Sequence, residues 1–214
     1  AGTVTDVSIV DISVTGSNFA GGLVGENEGT VSDVSVSGEV TGGVRVGGIA
    51  GKNDGVASDS STSADVIGER TVGSFAGINE RGATLTNSSA SGEVTGNAKV
   101  GGLVGIGIGA VSNSSASGDV TGENEIGGLV GDSSDIVSES SASGNVEGDE
   151  DVGRLVGFNR GTVRNSSASG NVTRGGGLSF VPLAIVAVLA LVAFFGLIVI
   201  VGLGAFLLLR RRRD

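Results

Sequence analysis

The strongest constraint in this chain is a repeat. A five-residue block recurs as GGLVG at Gly21–Gly25, GGIAG at Gly47–Gly51, GSFAG at Gly73–Gly77, GGLVG at Gly101–Gly105 and Gly127–Gly131, and GRLVG at Gly153–Gly157. Its closing glycines step by 26, 26, 28, 26 and 26 residues. A second column, Asp6, Asp33, Asp59, Asn87, Asn113, Glu139 and Asn165, steps by 27, 26, 28, 26, 26 and 26. A unit that short cannot bury its own apolar face, so the copies must bury one another's.

Within a unit the apolar pattern alternates, as in a strand with one buried face. In Asp33–Val40, DVSVSGEV, the residues Val34, Val36, Gly38 and Val40 share one face, and Asp33, Ser35, Ser37 and Glu39 share the other. No unit carries helical spacing. Asn27, Asn53, Asn79 and Asn159 each follow a closing glycine by two residues and read as corners, because Asn and Gly tolerate positive φ. The expected fold is all-β: a parallel β-solenoid (β-helix) of six to seven 26–28-residue repeats, one per coil. Seven coils at strand spacing make a rod on the order of 30–35 Å long.

The block NSSASG occurs at Asn87–Gly92, Asn113–Gly118 and Asn165–Gly170, with ESSASG at Glu139–Gly144. In the strand reading Ser114, Ala116, Gly118 and Val120 face inward, and Asn113, Ser115, Ser117 and Asp119 face out. Buried serines need hydrogen-bond partners, from one another or from the backbone. The block is first of all a building unit. It also creates Asn-x-Ser acceptor sites for N-glycosylation at Asn87, Asn113 and Asn165, with a fourth, NVT, at Asn171.

Composition removes most chemistry. The 214 residues include 41 Gly and no His, Cys, Met, Trp or Tyr. That leaves no imidazole base, thiolate, zinc-thiolate site or disulfide. A Ser–Lys arrangement would depend on Lys52 or Lys99. No catalytic, cofactor-binding or metal-ligating residue is expected, and the chain is not read as an enzyme. Asp132–Asp135 (DSSD) and Gly148–Asp151 (GDED) are calcium candidates, but solvated surface charge is the preferred reading.

Charge is unevenly divided. Of the 23 acidic and 13 basic residues, 22 and 9 lie before Gly175, so that part carries −13; Arg210–Asp214 carry +3. An acidic body argues against nucleic acid. With Arg preferred to Lys and no Cys, it fits a protein of halophilic archaea, where salt screens self-repulsion.

The stretch GGLVGENEGTVSDVSVSGEVTG (Gly21–Gly42) and its copies resemble the GLUG-motif repeats of microbial surface and secreted proteins. The resemblance covers residues 1–173, weakens where Gly107 and Ser133 replace the corner Asn, and implies a β-solenoid in a cell-surface protein, often beside adhesion or peptidase domains. It carries no catalytic residue.

The organisation expected is a solenoid ectodomain over residues 1–173, a Gly-rich linker over 174–182, one C-terminal transmembrane α-helix over 183–209 and a basic tail over 210–214. Leu183–Leu209 has no charged or polar side chain, and roughly 20 apolar residues span a bilayer. Arg210, Arg211, Arg212 and Arg213 set the topology by the positive-inside bias: single-pass in the cell membrane, C-terminus cytoplasmic and solenoid extracellular. The short linker places the last coil close to the lipid. Phe180–Ala184 (FVPLA) has a slight likeness to a sorting signal, with permanent anchoring favoured. Small residues at Ala184, Ala187, Ala190, Ala193 and Gly196 lack small-xxx-small spacing. The start at Ala1, without Met or signal peptide, suggests a fragment or a mature product.

The function expected is structural or adhesive, as a stalk or envelope component. The alternatives are the non-catalytic stalk of a larger surface enzyme such as a peptidase, and a carbohydrate-binding solenoid. The partners expected are the lipid bilayer and other surface proteins or glycans, with no nucleic acid. If the acidity is a salt adaptation, the melting temperature of the solenoid rises steeply from low to molar KCl; a flat response in differential scanning calorimetry counts against it.

Overall fold

The computed structural model of the protein describes residues 2–175. The expected transmembrane helix at 183–209, the tail at 210–214 and the linker beyond Gly175 lie outside the described residues. Among those described there are strands and turns, and no helix long and apolar enough to cross a membrane.

Each full turn of chain makes a five-sided coil. In one coil side A is Ala98–Gly101, side B Val104–Gly107, side C Ala110–Ser112, side D Ser115–Ala116 and side E Val120–Thr121. In the first two coils sides C, D, E and A run together as single strands, Thr3–Gly21 and Thr30–Gly47. The chain enters on side C, completes six coils, and ends the seventh after side E at Val172–Arg174.

Stacking is parallel and in register. Leu85 pairs with Val111, Ala90 with Ala116, Val94 with Val120, Val100 with Ile126, and Val104 with Val130. The expected parallel solenoid is what the chain forms. Sides A, C, D and E join one continuous sheet, while the six side-B strands form a separate one. The 28-residue step comes from a turn at Arg81–Gly82 between sides B and C. The 27-residue step comes from a register shift between Ile9 and Ile12.

The interior holds two apolar columns rather than one. Ile49, Phe75, Leu103 and Leu129 pack with Leu85, Val111, Ala116 and their equivalents between sides B, C and D. Val40, Val66, Val94, Val120 and Val146 pack with Val46, Val72, Val100, Ile126 and Val152 between sides E and A. A narrow waist separates them. A Cβ at Gly102 would stand 3.0 Å from that of Ala116, and one at Gly128 would stand 3.1 Å from that of Ala142. The second glycine of the pair and the alanine of SSASG are small because they meet there.

The closing glycine of the five-residue block lies flat on side A of the neighbouring coil. A Cβ on Gly105 would fall 2.7 Å from Gly77 O, 2.7 Å from Val72 N and 2.8 Å from Lys99 O, all backbone atoms. Gly51, Gly77, Gly131 and Gly157 meet backbone in the same way. On side A the residue at this contact is left-handed: Phe19, Arg45, Thr71, Lys99, Glu125 and Asp151 have φ between 50° and 59°. Holding a non-glycine residue there costs on the order of 1 kcal/mol, which the surrounding packing must offset.

The second left-handed column is Asp6, Asp33, Asp59, Asn87, Asn113, Glu139 and Asn165, with φ of 48° to 57°. These residues make the corner between sides C and D. The expectation that Asn27, Asn53, Asn79 and Asn159 are corners with positive φ is therefore corrected. They end side B in extended conformation, and the first three are buried.

Two glycines on one strand provide a test. Gly105→Ala should destabilise the solenoid by about 3 kcal/mol, because the atoms it meets are backbone that cannot step aside. At Gly107 a Cβ meets only Val130 Cγ1 at 3.4 Å and Gly109 O at 4.0 Å. Gly107→Ala should thus be neutral or slightly stabilising. Urea denaturation of the two variants measures both.

Candidate functional site

The repeated serines are buried and committed to the backbone. Ser60, Ser88, Ser114 and Ser140 stand in the column occupied by Val7 and Val34 in the first two coils, and each of the four is nearly inaccessible. The Ser114 hydroxyl donates to Ser112 O at 2.8 Å and accepts the backbone N–H of Ser88 at 3.2 Å. Ser88 and Ser140 repeat the pattern through Thr86 O and Ser138 O. The left-handed residue before each serine turns the chain, and the hydroxyl takes up the polar groups left at that corner. As expected, Asn113, Ser117 and Asp119 face out.

A second ladder fills the end of side B. Asn27 Nδ2 donates to Asn53 Oδ1 at 2.7 Å, and Asn53 Nδ2 donates to Asn79 Oδ1 at 2.8 Å. Their remaining amide groups bond nearby backbone, as Asn27 does with Gly29 N–H and Val56 O. Among the described residues every buried side-chain nitrogen and oxygen has a partner. Neither ladder holds out a free hydroxyl or amide for chemistry.

Charged side chains gather where sides A and B meet. Asp132 is 1% exposed and receives Lys99 Nζ at 2.7 Å and Arg160 Nη2 at 2.7 and 2.8 Å. Lys99 also pairs with Glu125. Burial opposes the charged form of Lys99, but the hydrogen bonds to Asp132 and Glu125 outweigh it and raise its pKa. Lys52 pairs with Asp54 at 2.6 Å and Glu26 at 2.8 Å, which also raise its pKa. These clusters tie neighbouring coils together. The sequence reading missed them; aligning the coils would have shown Lys99 and Glu125 stacked on one column.

Asp132 therefore spends its charge on Lys99 and Arg160, and it does not join Asp135 in a calcium site. Asp149, Glu150 and Asp151 are exposed. Among the described residues no group of three or more acidic side chains is placed to hold a metal ion. Part of the acidic surface is itself structural. Asp65 accepts the backbone N–H of Glu93 at 2.9 Å, and Asp119 accepts that of Asn145 at 2.7 Å.

Asn87, Asn113, Asn165 and Asn171 are all exposed, the first three on the left-handed corner column. Arg210, Arg211, Arg212 and Arg213 lie outside the described residues. The described recesses are shallow: one at the open first coil, by Gly2, Val4, Glu26 and Glu28, and others over the outer serines of side D. What this arrangement offers is a regular outer surface on a rigid internal lattice.

Such a chain is a β-solenoid repeat protein. A family model described as the GLUG motif matches residues 68–95, one full turn from Gly68 to Thr95. Because the other coils stack on that turn in register, the match supports reading the chain as a GLUG repeat protein. No curated protein and no solved structure matches the chain.

Two adjacent serines separate building unit from surface. Ser114→Ala should cost about 1–2 kcal/mol, since it strips a partner from Ser112 O and from Ser88 N–H. Ser115→Ala, on the outer side, should change stability by less than about 0.5 kcal/mol. Equal effects in urea denaturation would refute the assignment.

Proposed function

We propose that this protein is a non-catalytic structural rod of the cell surface, a stalk or envelope component with an adhesive outer face. One observation carries the reading: the repeated motif is consumed in building the rod. Its glycines make backbone contacts, its serines and asparagines bond backbone or one another, and its alanines form the waist. What remains for the surroundings is a periodic, largely acidic exterior. A fold of this kind holds groups at fixed spacing and fixed distance, which is the work of a spacer.

Anchoring is the second part of the proposal. The uncharged run Leu183–Leu209 followed by Arg210–Arg213 supports a single-pass anchor with the solenoid outside. The exposure of Asn87, Asn113, Asn165 and Asn171 supports their use as glycan acceptors in a host that carries out N-glycosylation.

Membrane fractionation tests the anchor. The full chain should stay with membranes through alkaline carbonate, and deletion of residues 183–209 should release it. Protease added to intact cells should reach the solenoid. A full chain that carbonate extracts, or a solenoid protected in intact cells and cleaved only after lysis, refutes the proposal.

A further inference from the structure

The two ends of the solenoid carry opposite charge. Residues 2–29 hold Asp6, Asp11, Glu26 and Glu28 and no base, whereas residues 150–175, which include the last strand of every side, hold Arg154, Arg160, Arg164 and Arg174 against Glu150 and Asp151. All four arginines are exposed. Arg160 is engaged by Asp132; Arg154, Arg164 and Arg174 form no ion pair among the described residues. Glu147 lies one coil further in, since it pairs with Thr173, whereas Glu150 and Asp151 stand on the last side-A strand beside Arg154.

Arg154 shows where this charge points. Its column is otherwise Gly22, Gly48, Ser74, Gly102 and Gly128. A Cβ at Gly22, Gly48, Gly102 or Gly128 would run into the backbone carbonyl of the next coil, at Gly48, Ser74, Gly128 or Arg154 respectively. Side chains at this position therefore aim along the rod axis toward the following coil. No described side-A strand stacks beyond Glu150–Gly153. Arg154 thus projects out of the end face, in a column where the interior leaves space for Gly or Ser. Arg164 and Arg174 stand on the last strands of sides C and E. The Arg174 guanidinium reaches back to Val152 O at 3.5 Å, over the same open edge.

We propose that this end face docks against the phosphate headgroups of an anionic bilayer. The proposal rests on the anchoring reading, in which the described residues end at Gly175 and the apolar run begins at Leu183. Guanidinium groups match phosphate oxygens in geometry and charge. The acidic first coil lies several strand spacings away, beyond the screening length of about 8 Å at physiological ionic strength. Docking on lipid would also cover the unpaired strand edges of the last coil, which otherwise invite edge-to-edge association.

Residues 1–175 form a compact unit with their own core, so the test can use that unit alone. It should co-sediment with vesicles of equal parts phosphatidylglycerol and phosphatidylcholine at low ionic strength, and not with phosphatidylcholine alone. Arg154→Glu, Arg164→Glu and Arg174→Glu together should weaken binding on the order of a hundredfold. Circular dichroism checks the fold, and the corresponding triple Gln variant should lose about tenfold or more if the Glu variant does not fold. No binding to the anionic vesicles, equal binding to neutral ones, or an unchanged folded variant overturns the proposal. Tighter binding to a soluble polyanion such as heparin overturns it as well. Carbonate extraction of the full chain judges the anchor separately, since the isolated unit lacks residues 183–209.

Discussion

In-register stacking is the condition on which everything else in this molecule depends. Once each strand bonds the equivalent strand above and below, every side chain has its own counterpart as nearest neighbour, about 4.8 Å away. A column must then tolerate itself. Valine on valine, alanine on alanine and glycine on glycine do so by shape. Serine and asparagine do so only because each also finds hydrogen bonds, the serines with backbone at the side C–D corner and the asparagines with one another. Like charges repel when stacked, and the outer columns show how this is relieved. Asp59 accepts a hydrogen bond from Asn87 at 3.1 Å where the aspartate run gives way to asparagine.

Self-stacking also explains why the described core, with Phe75 as its one aromatic, can do without others. The coil is too thin to need them. Its cross-section is pinched at the glycine–alanine waist into two apolar columns, each filled by a few, almost entirely aliphatic, side chains per turn. Flat contact between sides A and B is made by closing glycines on left-handed residues, so that part of the section is nearly all backbone. The left-handed residues aim their side chains outward, where Lys99, Glu125 and Asp132 meet at the same seam. Strain in the backbone and ion pairing outside it are two results of one contact.

Function follows from what this lattice leaves over. Interior polar groups are satisfied within the lattice, so the surroundings meet the outer columns and the two ends. The outer columns repeat at coil spacing and suit a surface that is read as a pattern. The ends are different from each other, because a stack of identical units has a direction and the last unit is free to depart from the repeat. Arg154 is such a departure, a charged side chain in a glycine column where no described coil follows.

The sequence by itself determined the period, the alternation and the inward set Ser114, Ala116, Gly118 and Val120, because a side chain that faces itself must recur at the same spacing. The parallel solenoid follows from those alone. It could not assign the corners. Asn and Gly permit a left-handed turn wherever they occur, but the turns fall at Asp6 and Asn113, and even at Thr71 and Lys99. Only the stacked backbone, by packing side B flat on side A, selects those residues and sends Asn53 inward instead. Nor could linear order show that Asp132 is buried against Lys99 and Arg160, which lie 33 and 28 residues away. Those pairings arise because one turn of coil brings distant residues to the same seam, and that geometry belongs to the tertiary structure.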